Sequence, residues 1–306
     1  MAPGPLITIG ITAYNEGAWL QECWESVVAQ NSQQWQSVMV LDGGADKKTK
    51  RIFKNISHAK LKKIELTENS GPYPARTEAI KNAETPWYFH VDADDRLPVD
   101  AVEKLSELIA NNPGAEYIAG DCLMFGIGQD RVIPSEVFDY TDQDAELVLL
   151  GTSPIRVSLF RKVGGFEPAL YRGGADFDFW VGVAELEVEG ARVEEVIYER
   201  RNRKTGNVGT SWALRKDKVA DIILKRHPKY FSAGQRKRRY LRKNYYMMAR
   251  TCRAAKRYAL AAGYAEKALE YGCDFKTVAT IIREKNLPRW RIYIRFMLQG
   301  MKSLFK

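Results

Sequence analysis

Blocks of apolar and polar residues alternate along the first two thirds of the chain, and their lengths and periods predict a regular order of elements. Leu6–Thr12 (LITIGIT) is a short β-branched run that breaks at Ala13–Gly17, and Ala18–Gln30 then carries Trp19, Cys23, Ser26 and Val27 at helical spacing. Ser37–Leu41 (SVMVL) reads as a second buried strand ending on Asp42-Gly43-Gly44. A third strand is expected over Lys63–Thr67, a helix around Pro74–Asn82, and a fourth strand over Trp87–Val91 (WYFHV). Such alternation predicts an α/β sheet, in which ligands bind outside the carboxyl ends of the strands. Three of those ends carry Asn15, Asp42 and Asp92.

Further along, Pro98–Asn111 reads as a helix with Val102, Leu105, Leu108 and Ile109 inward, and Glu116–Phe125 as another strand. Asp144–Leu150 has helical character, and a Gly-Gly turn in Val163–Arg172 leads into GGADFDFW at 173–180. A helix over Phe179–Glu189 and a final strand over Arg192–Tyr198 follow. Beyond about residue 212 the pattern changes to long helical segments rich in Arg, Lys, Tyr and Ala, with Tyr240–Gly272 expected as a helical hairpin. Its small-residue spacing is that of a tetratricopeptide-like helix pair, but one copy is not an array. Two regions are therefore expected, 1–211 and a basic helical region 212–306.

Composition adds that the whole chain folds. The 306 residues are 28% charged and 45% hydrophobic, with no low-complexity or repeated segment. Charge is segregated: residues 1–199 hold 18 Lys/Arg and 32 Asp/Glu, whereas residues 200–306 hold 29 and 6, a net of +23. A basic third of this kind is either a solvated helical surface or a site for phosphate, nucleic acid or an anionic membrane. The four cysteines lie far apart with no CxxC and no matching His pair, which argues against a zinc site or a disulfide framework and fits a reducing compartment. The N-terminus has no basic segment followed by a long apolar one, so no signal peptide is expected, and no stretch reaches the roughly 20 apolar residues of a membrane span. A cytoplasmic protein, soluble or peripheral on the membrane's cytoplasmic face, is expected.

Candidate chemistry centres on FHVDADD at 89–95. Asp92, Asp94 and Asp95 directly behind a buried strand either cap and turn the chain or, since three carboxylates so close repel, share a cation. Mg²⁺ or Mn²⁺ bridging a diphosphate satisfies such a cluster.

Together with TAYNE at 12–16, VLDGGAD at 40–46, NSGPYPARTEAI at 69–80 and GGADFDFW at 173–180, this motif resembles the inverting family 2 glycosyltransferases with the GT-A fold, over about residues 6–210. The resemblance implies a Rossmann-like mixed sheet flanked by helices, a nucleotide-sugar donor, a divalent metal and direct displacement at the anomeric carbon. It implies that Ala13, Tyr14 and Glu16 hold the nucleoside, for which a strand end entering a helix also offers free N–H groups. Asp42 matches the aspartate that accepts a hydrogen bond from the base, which favours UDP, although Gly43 replaces the usual second aspartate. Gly71 would let backbone approach the donor, and Arg76 matches the arginine of the short AR motif. Asp92 falls near the ribose and Asp94 on the metal, with Asp95 in support.

For the general base that inversion requires, the resemblance points to Asp176 with Asp178 in reserve, because Ala175 stands where relatives have Glu. Asp176 equally fits a cap for a helix beginning near Phe177. Gly182 replaces a frequent arginine. RRNRKTGNVGTSW at 200–212 resembles the basic loop over the diphosphate, with Arg201, Arg203 or Lys204 on phosphate in place of the histidine that relatives often carry. The acceptor would be a glycan, a lipid-linked or another surface glycoconjugate.

The tail Arg289–Lys306 spaces Trp290, Ile294, Met297, Met301 and Leu304 as an interfacial amphipathic helix for an anionic membrane, or as a terminal helix packed on the protein. A sugar-nucleotide nucleotidyltransferase is a competing reading, but TAYNE lacks its Gly-rich loop. A nucleic-acid or membrane module would leave the ordered carboxylates unexplained, so no nucleic-acid partner is expected. The departures at Gly43, Ala175 and Gly182 also fit a transferase that has lost activity.

Overall fold

The β-branched and aromatic runs become the centre of a twisted sheet in the computed structural model, which describes residues 4–142, 149–203 and 216–272. β1 (Ile7–Ala13), β2 (Trp35–Leu41), β3 (Leu61–Glu65) and β4 (Trp87–Asp92) run parallel. β5 (Tyr117–Gly126), β6 (Arg131–Ile133), β7 (Ile155–Arg156) and β8 (Gly190–Asn202) complete a mixed sheet of order β3-β2-β1-β4-β7-β5-β6, with β8 parallel to β5.

β1 and β4 are buried on both faces, so their alternate residues feed two separate cores. One holds Ile7, Ile9, Ile11, Trp87, Phe89 and Val91 against α1 (Ala18–Val28), α2 (Lys47–Asn55) and α4 (Ala101–Asn111). The other holds Val38, Val40 and Tyr88 against α3 (Pro72–Lys81), α5 (Val157–Val163) and α6 (Ala175–Glu185). Each large apolar side chain so buried contributes about 1.5–3 kcal/mol, which fixes the strand ends that carry the polar residues.

Several elements depart from the sequence pattern. The third strand lies two residues earlier than expected, at the sheet edge, with a half-exposed face that blurs its periodicity. α2 was not expected, since it is mostly Lys and Arg with Ile52 and Phe53 as its apolar anchors; Asp46 caps it by accepting from the Thr49 N–H at 2.7 Å. α5 also lay in a stretch with no clear period. α6 begins at Ala175, because Gly174 in the left-handed region (φ 87°) turns the chain there. The expected helix over 144–150 falls mostly outside the described residues.

The chain divides into two compact units, residues 1–141 with 145–204, and residues 142–144 with 205–306. Within the second, α7 (Lys216–Arg226), α8 (Pro228–Ser232), α9 (Arg236–Ala254) and α10 (Tyr258–Glu270) are described. α9 and α10 pack on each other, burying Leu241, Met248 and Cys252 on one and Ala261, Ala265 and Leu269 on the other. That pair is the hairpin expected at 240–272, and Lys204 and the amphipathic tail 289–306 lie outside the described residues. No described helix is long and apolar enough to cross a membrane.

Candidate active site at the carboxyl edge of the sheet

β1 lies between β2 and β4, where the strand order reverses, and the carboxyl edge at such a point is where open α/β sheets bind ligands. Register pairs Thr12 with Asp92 and Ala13 with Leu41, which brings TAYNE, Asp42 and the carboxylate motif to one edge. The TAYNE turn is pinned there. Asn15 Oδ1 accepts from the Asp46 N–H (2.8 Å), the Gly17 N–H donates to Thr49 Oγ1 (2.9 Å), and the Tyr14 N–H donates to the Glu16 carboxylate. Tyr14 is left exposed at the edge. Burial raises the Glu16 carboxyl above its ordinary range, against the pull of the Tyr14 N–H, its own N–H and Arg203.

Asp42 is buried and clasps the loop before α3: its carboxylate accepts from the N–H groups of Gly43 (2.9 Å), Ser70 (2.9 Å) and Gly71 (3.0 Å). The departure at Gly43 has a steric reason, since a Cβ there would lie 2.2 Å from the backbone carbonyl carbon of Glu68. Gly71 adopts φ 87° as the residue before α3 and packs against Tyr171.

The carboxylate cluster repels less than its spacing implies because each member has a partner supplied by the chain. Arg76, reaching up from α3, donates to both oxygens of Asp92 at 2.7 and 2.9 Å. Tyr88, His90 and Asp92 share one face of β4, so His90 Nε2 meets Asp92 at 3.0 Å and Nδ1 meets the Tyr88 hydroxyl at 3.1 Å. A carboxylate only accepts, so the proton lies on Nε2 and the Tyr88 hydroxyl donates to Nδ1. Burial, reinforced by Arg76, pushes His90 down to about 4, so the ring is neutral near pH 7. Burial alone would raise Asp92, but Arg76 and His90 outweigh it and hold the carboxyl well below the usual range.

Asp94 is buried and ion-paired with Arg203. Asp95 accepts from the Tyr198 hydroxyl and the Arg201 N–H, both at 2.7 Å, while burial and the Asp92 charge push it up to about 6. Arg201 is spent on structure: it donates to the Asp94 carbonyl (2.8 Å), pairs with Glu22 (2.7 Å) and stacks over Phe125. Trp19 lies beneath both Arg201 and Arg203, with the Arg203 guanidinium 4.4 Å from its ring.

Asp176 and Asp178 differ in access. Asp178 is buried, whereas Asp176 is half-exposed on the first turn of α6, accepting from the Phe177 N–H at 2.9 Å and from the Tyr73 hydroxyl. The capping reading of Asp176 is corrected here: the residue before the helix is Gly174, and Asp176 lies inside the helix. A Cβ on Gly151 would lie 2.8 Å from the Asp176 carboxylate, so that glycine admits the side chain. Gly182 is buried within α6, a position in which an arginine would need a partner.

Sequence reasoning missed the partners Tyr73, Tyr198, Trp19, Glu22 and Phe125, none of which carries a local signal. His90 could have been found, because it stands two residues before Asp92 in a strand and therefore on the same face.

A Rossmann-like mixed sheet with its acidic and guanidinium groups at the carboxyl edge is the architecture of the GT-A glycosyltransferases. Solved structures agree on that fold: Staphylococcus aureus TarS in complex with UDP-GlcNAc (TM-score 0.57, 16% identity, 91% of this chain and 90% of that one) and the mannosyltransferase PcManGT from Pyrobaculum calidifontis with GDP-Man and Mn²⁺ (TM-score 0.55, 15% identity, 92% and 79%). Residues 8–144 match the family model described as Glycosyl transferase family 2. That segment, a little under half of the chain, is thus similar to family 2 glycosyltransferases, and it lies within the unit whose fold is GT-A.

Among curated relatives, the teichoic acid poly(glycerol phosphate) polymerase of Staphylococcus epidermidis is 34% identical over 110 residues, 35% of this chain and 15% of that protein. A putative teichuronic acid biosynthesis glycosyltransferase, TuaG of Bacillus subtilis, is 22% identical over 216 residues, 69% of this chain and 85% of that protein. The chain spans 15% and 43% of the first two curated relatives.

Proposed function

We propose that this protein is an inverting glycosyltransferase that moves a sugar from a nucleotide-sugar donor, UDP-linked, to a cell-surface glycan or lipid-linked acceptor. The observation that carries it is the convergence of Asp42, Asp92 with Arg76, Asp94 with Arg203, and Asp176 within one unit whose fold is GT-A. Tyr14 and Glu16 at the end of β1 take the nucleoside, Asp92 the ribose, and Arg203 and Lys204 the diphosphate. Asp42 contributes by shaping the loop at Ser70–Gly71, since its own carboxylate already accepts three N–H groups.

A divalent cation fits this site through few protein ligands. Asp92 and Asp95 are each engaged in other directions, and no group of three His, Cys, Asp or Glu able to hold a metal occurs among the described residues. Asp94 supplies one carboxylate, and Mg²⁺ or Mn²⁺ is commonly held by one or two carboxylates plus substrate phosphates. When bound, it would neutralise the leaving diphosphate.

Asp176 takes the proton of the acceptor hydroxyl as that oxygen bonds to the anomeric carbon. The bond from that carbon to the diphosphate breaks on the opposite face, its electron pair leaving with the nucleoside diphosphate. Tyr73, by donating to Asp176, and Gly151, by admitting it, orient the base. A cytoplasmic location against the membrane is consistent with such acceptors, and the basic C-terminal residues would meet its anionic surface.

Thermal unfolding with UDP, GDP, dTDP and CMP, each with and without Mn²⁺, tests the reading. A ligand at a hundred times its Kd stabilises by about 2.7 kcal/mol. Stabilisation by UDP with Mn²⁺ that is lost in Asp94→Asn supports the assignment; no shift with any nucleotide overturns it.

A further inference from the structure

Arg203 occupies the one carboxylate that the donor-site reading reserves for a metal. Asp94 is 5% exposed, and its carboxylate is ion-paired with the Arg203 guanidinium, which also lies over Trp19. A guanidinium and a divalent cation cannot share a buried carboxylate without strong repulsion between them. Arg201, by contrast, is held by Glu22, by Phe125 and by the Asp94 carbonyl, and its N–H by Asp95, so it has no comparable alternative place.

We propose that Arg203 is a resident cation that exchanges for the divalent metal when donor binds. This rests on the donor-site reading above. In the nucleotide-free protein Arg203 neutralises Asp94; a diphosphate then offers the guanidinium a paired set of acceptor oxygens, a better partner than a single carboxylate. Arg203 moves from Asp94 to phosphate, and Asp94 turns to the metal. Two consequences follow from the one displacement. Metal binds weakly without nucleotide, and each ligand raises the affinity of the other by the same factor. Because Arg203 leaves the Trp19 ring in the exchange, the indole reports it.

The test measures Mn²⁺ binding by electron paramagnetic resonance on the full chain, without and with UDP, in wild type, Arg203→Ala, Arg203→Lys and Asp94→Asn. We expect Arg203→Ala to bind Mn²⁺ alone at least tenfold more tightly than wild type, and UDP to raise that affinity much less than it does in wild type. Arg203→Lys keeps a cation beside Asp94 and stays near wild type, and Asp94→Asn abolishes uptake in either background. The Trp19 contribution to emission, taken as the difference between each protein and its Trp19→Phe counterpart, changes on adding UDP with Mn²⁺ to a chain carrying Arg203 but not to Arg203→Ala. The exchange is overturned if wild type takes up Mn²⁺ with UDP while Arg203→Ala binds Mn²⁺ alone no better than wild type does. Uptake by no variant, with or without UDP, overturns the metal assignment itself and the exchange with it.

Discussion

Replacing Arg76 by Met removes a guanidinium from a pair that is mostly enclosed, the side chains of Arg76 and Asp92 being 11% and 34% exposed. Breaking a buried pair by deleting one partner costs about 3–5 kcal/mol, chiefly because the other charge stays behind. With Asp92 a third exposed, solvent screens part of that, and we expect about 2–3 kcal/mol. For a folded unit of this size that is a fall in Tm of roughly 4–12 °C. If the stranded charge is the cause, Arg76→Met/Asp92→Asn must recover at least half of the loss, measured by thermal unfolding at pH 7. A second readout comes from His90, one of only three histidines in the chain. In wild type, burial and Arg76 hold it down to about 4. Without Arg76 the neighbouring Asp92 raises it towards the ordinary value of about 6.5, visible as a shifted imidazole titration by NMR. A single variant within about a degree of wild type, or a double variant less stable than the single, would refute the argument.

Two titrations at the site oppose each other. His90, with a folded value near 4, makes stability fall as pH drops below its unfolded value, while Asp95, raised to about 6, makes stability fall as pH rises towards 6. Urea midpoints of wild type should therefore change little between pH 4.5 and 6, and those of Asp95→Asn should rise with pH across that range; parallel curves would contradict this. Gly43→Ala should cost about 1–3 kcal/mol and weaken UDP binding together, since the added carbon meets Glu68 backbone; an unchanged urea midpoint would show that the loop yields. Asp176→Asn should lose transfer while keeping the UDP-dependent rise in Tm, whereas Asp178→Asn, at a buried position, should lower Tm in the absence of ligand. Retained transfer in Asp176→Asn would remove it as the base.

The sheet was legible because β1, β2 and β4 are buried on both faces and write themselves as unbroken apolar runs. α2 was not, because a helix rich in Lys and Arg with Ile52 and Phe53 as its apolar anchors has almost no stripe to read, and its start rests on a single Asp46 cap. The start of α6 was misplaced by reading its apolar residues from Phe179, when the glycine turn at Gly173-Gly174 sets the first residue. Glycine conformation is a local signal that periodicity ignores.

At the site, the sequence places the carboxylates and the physics of like charges demands a compensating cation, but spacing alone cannot say which cation. Arg76 arrives from a helix sixteen residues upstream and Arg203 from the end of a strand more than a hundred residues downstream, so neither pairing leaves a local trace. The two arginines are not equivalent. Arg76 is enclosed beneath Asp92 and shares that carboxylate with His90, which makes it part of the frame. Arg203 is nearly as enclosed, but it follows the end of β8 and lies against Trp19, and its partner is the carboxylate that a diphosphate-bound metal would need. Under the proposed exchange such a site is electrically balanced before donor arrives, and Arg203 rather than Arg76 is the arginine that moves when it does.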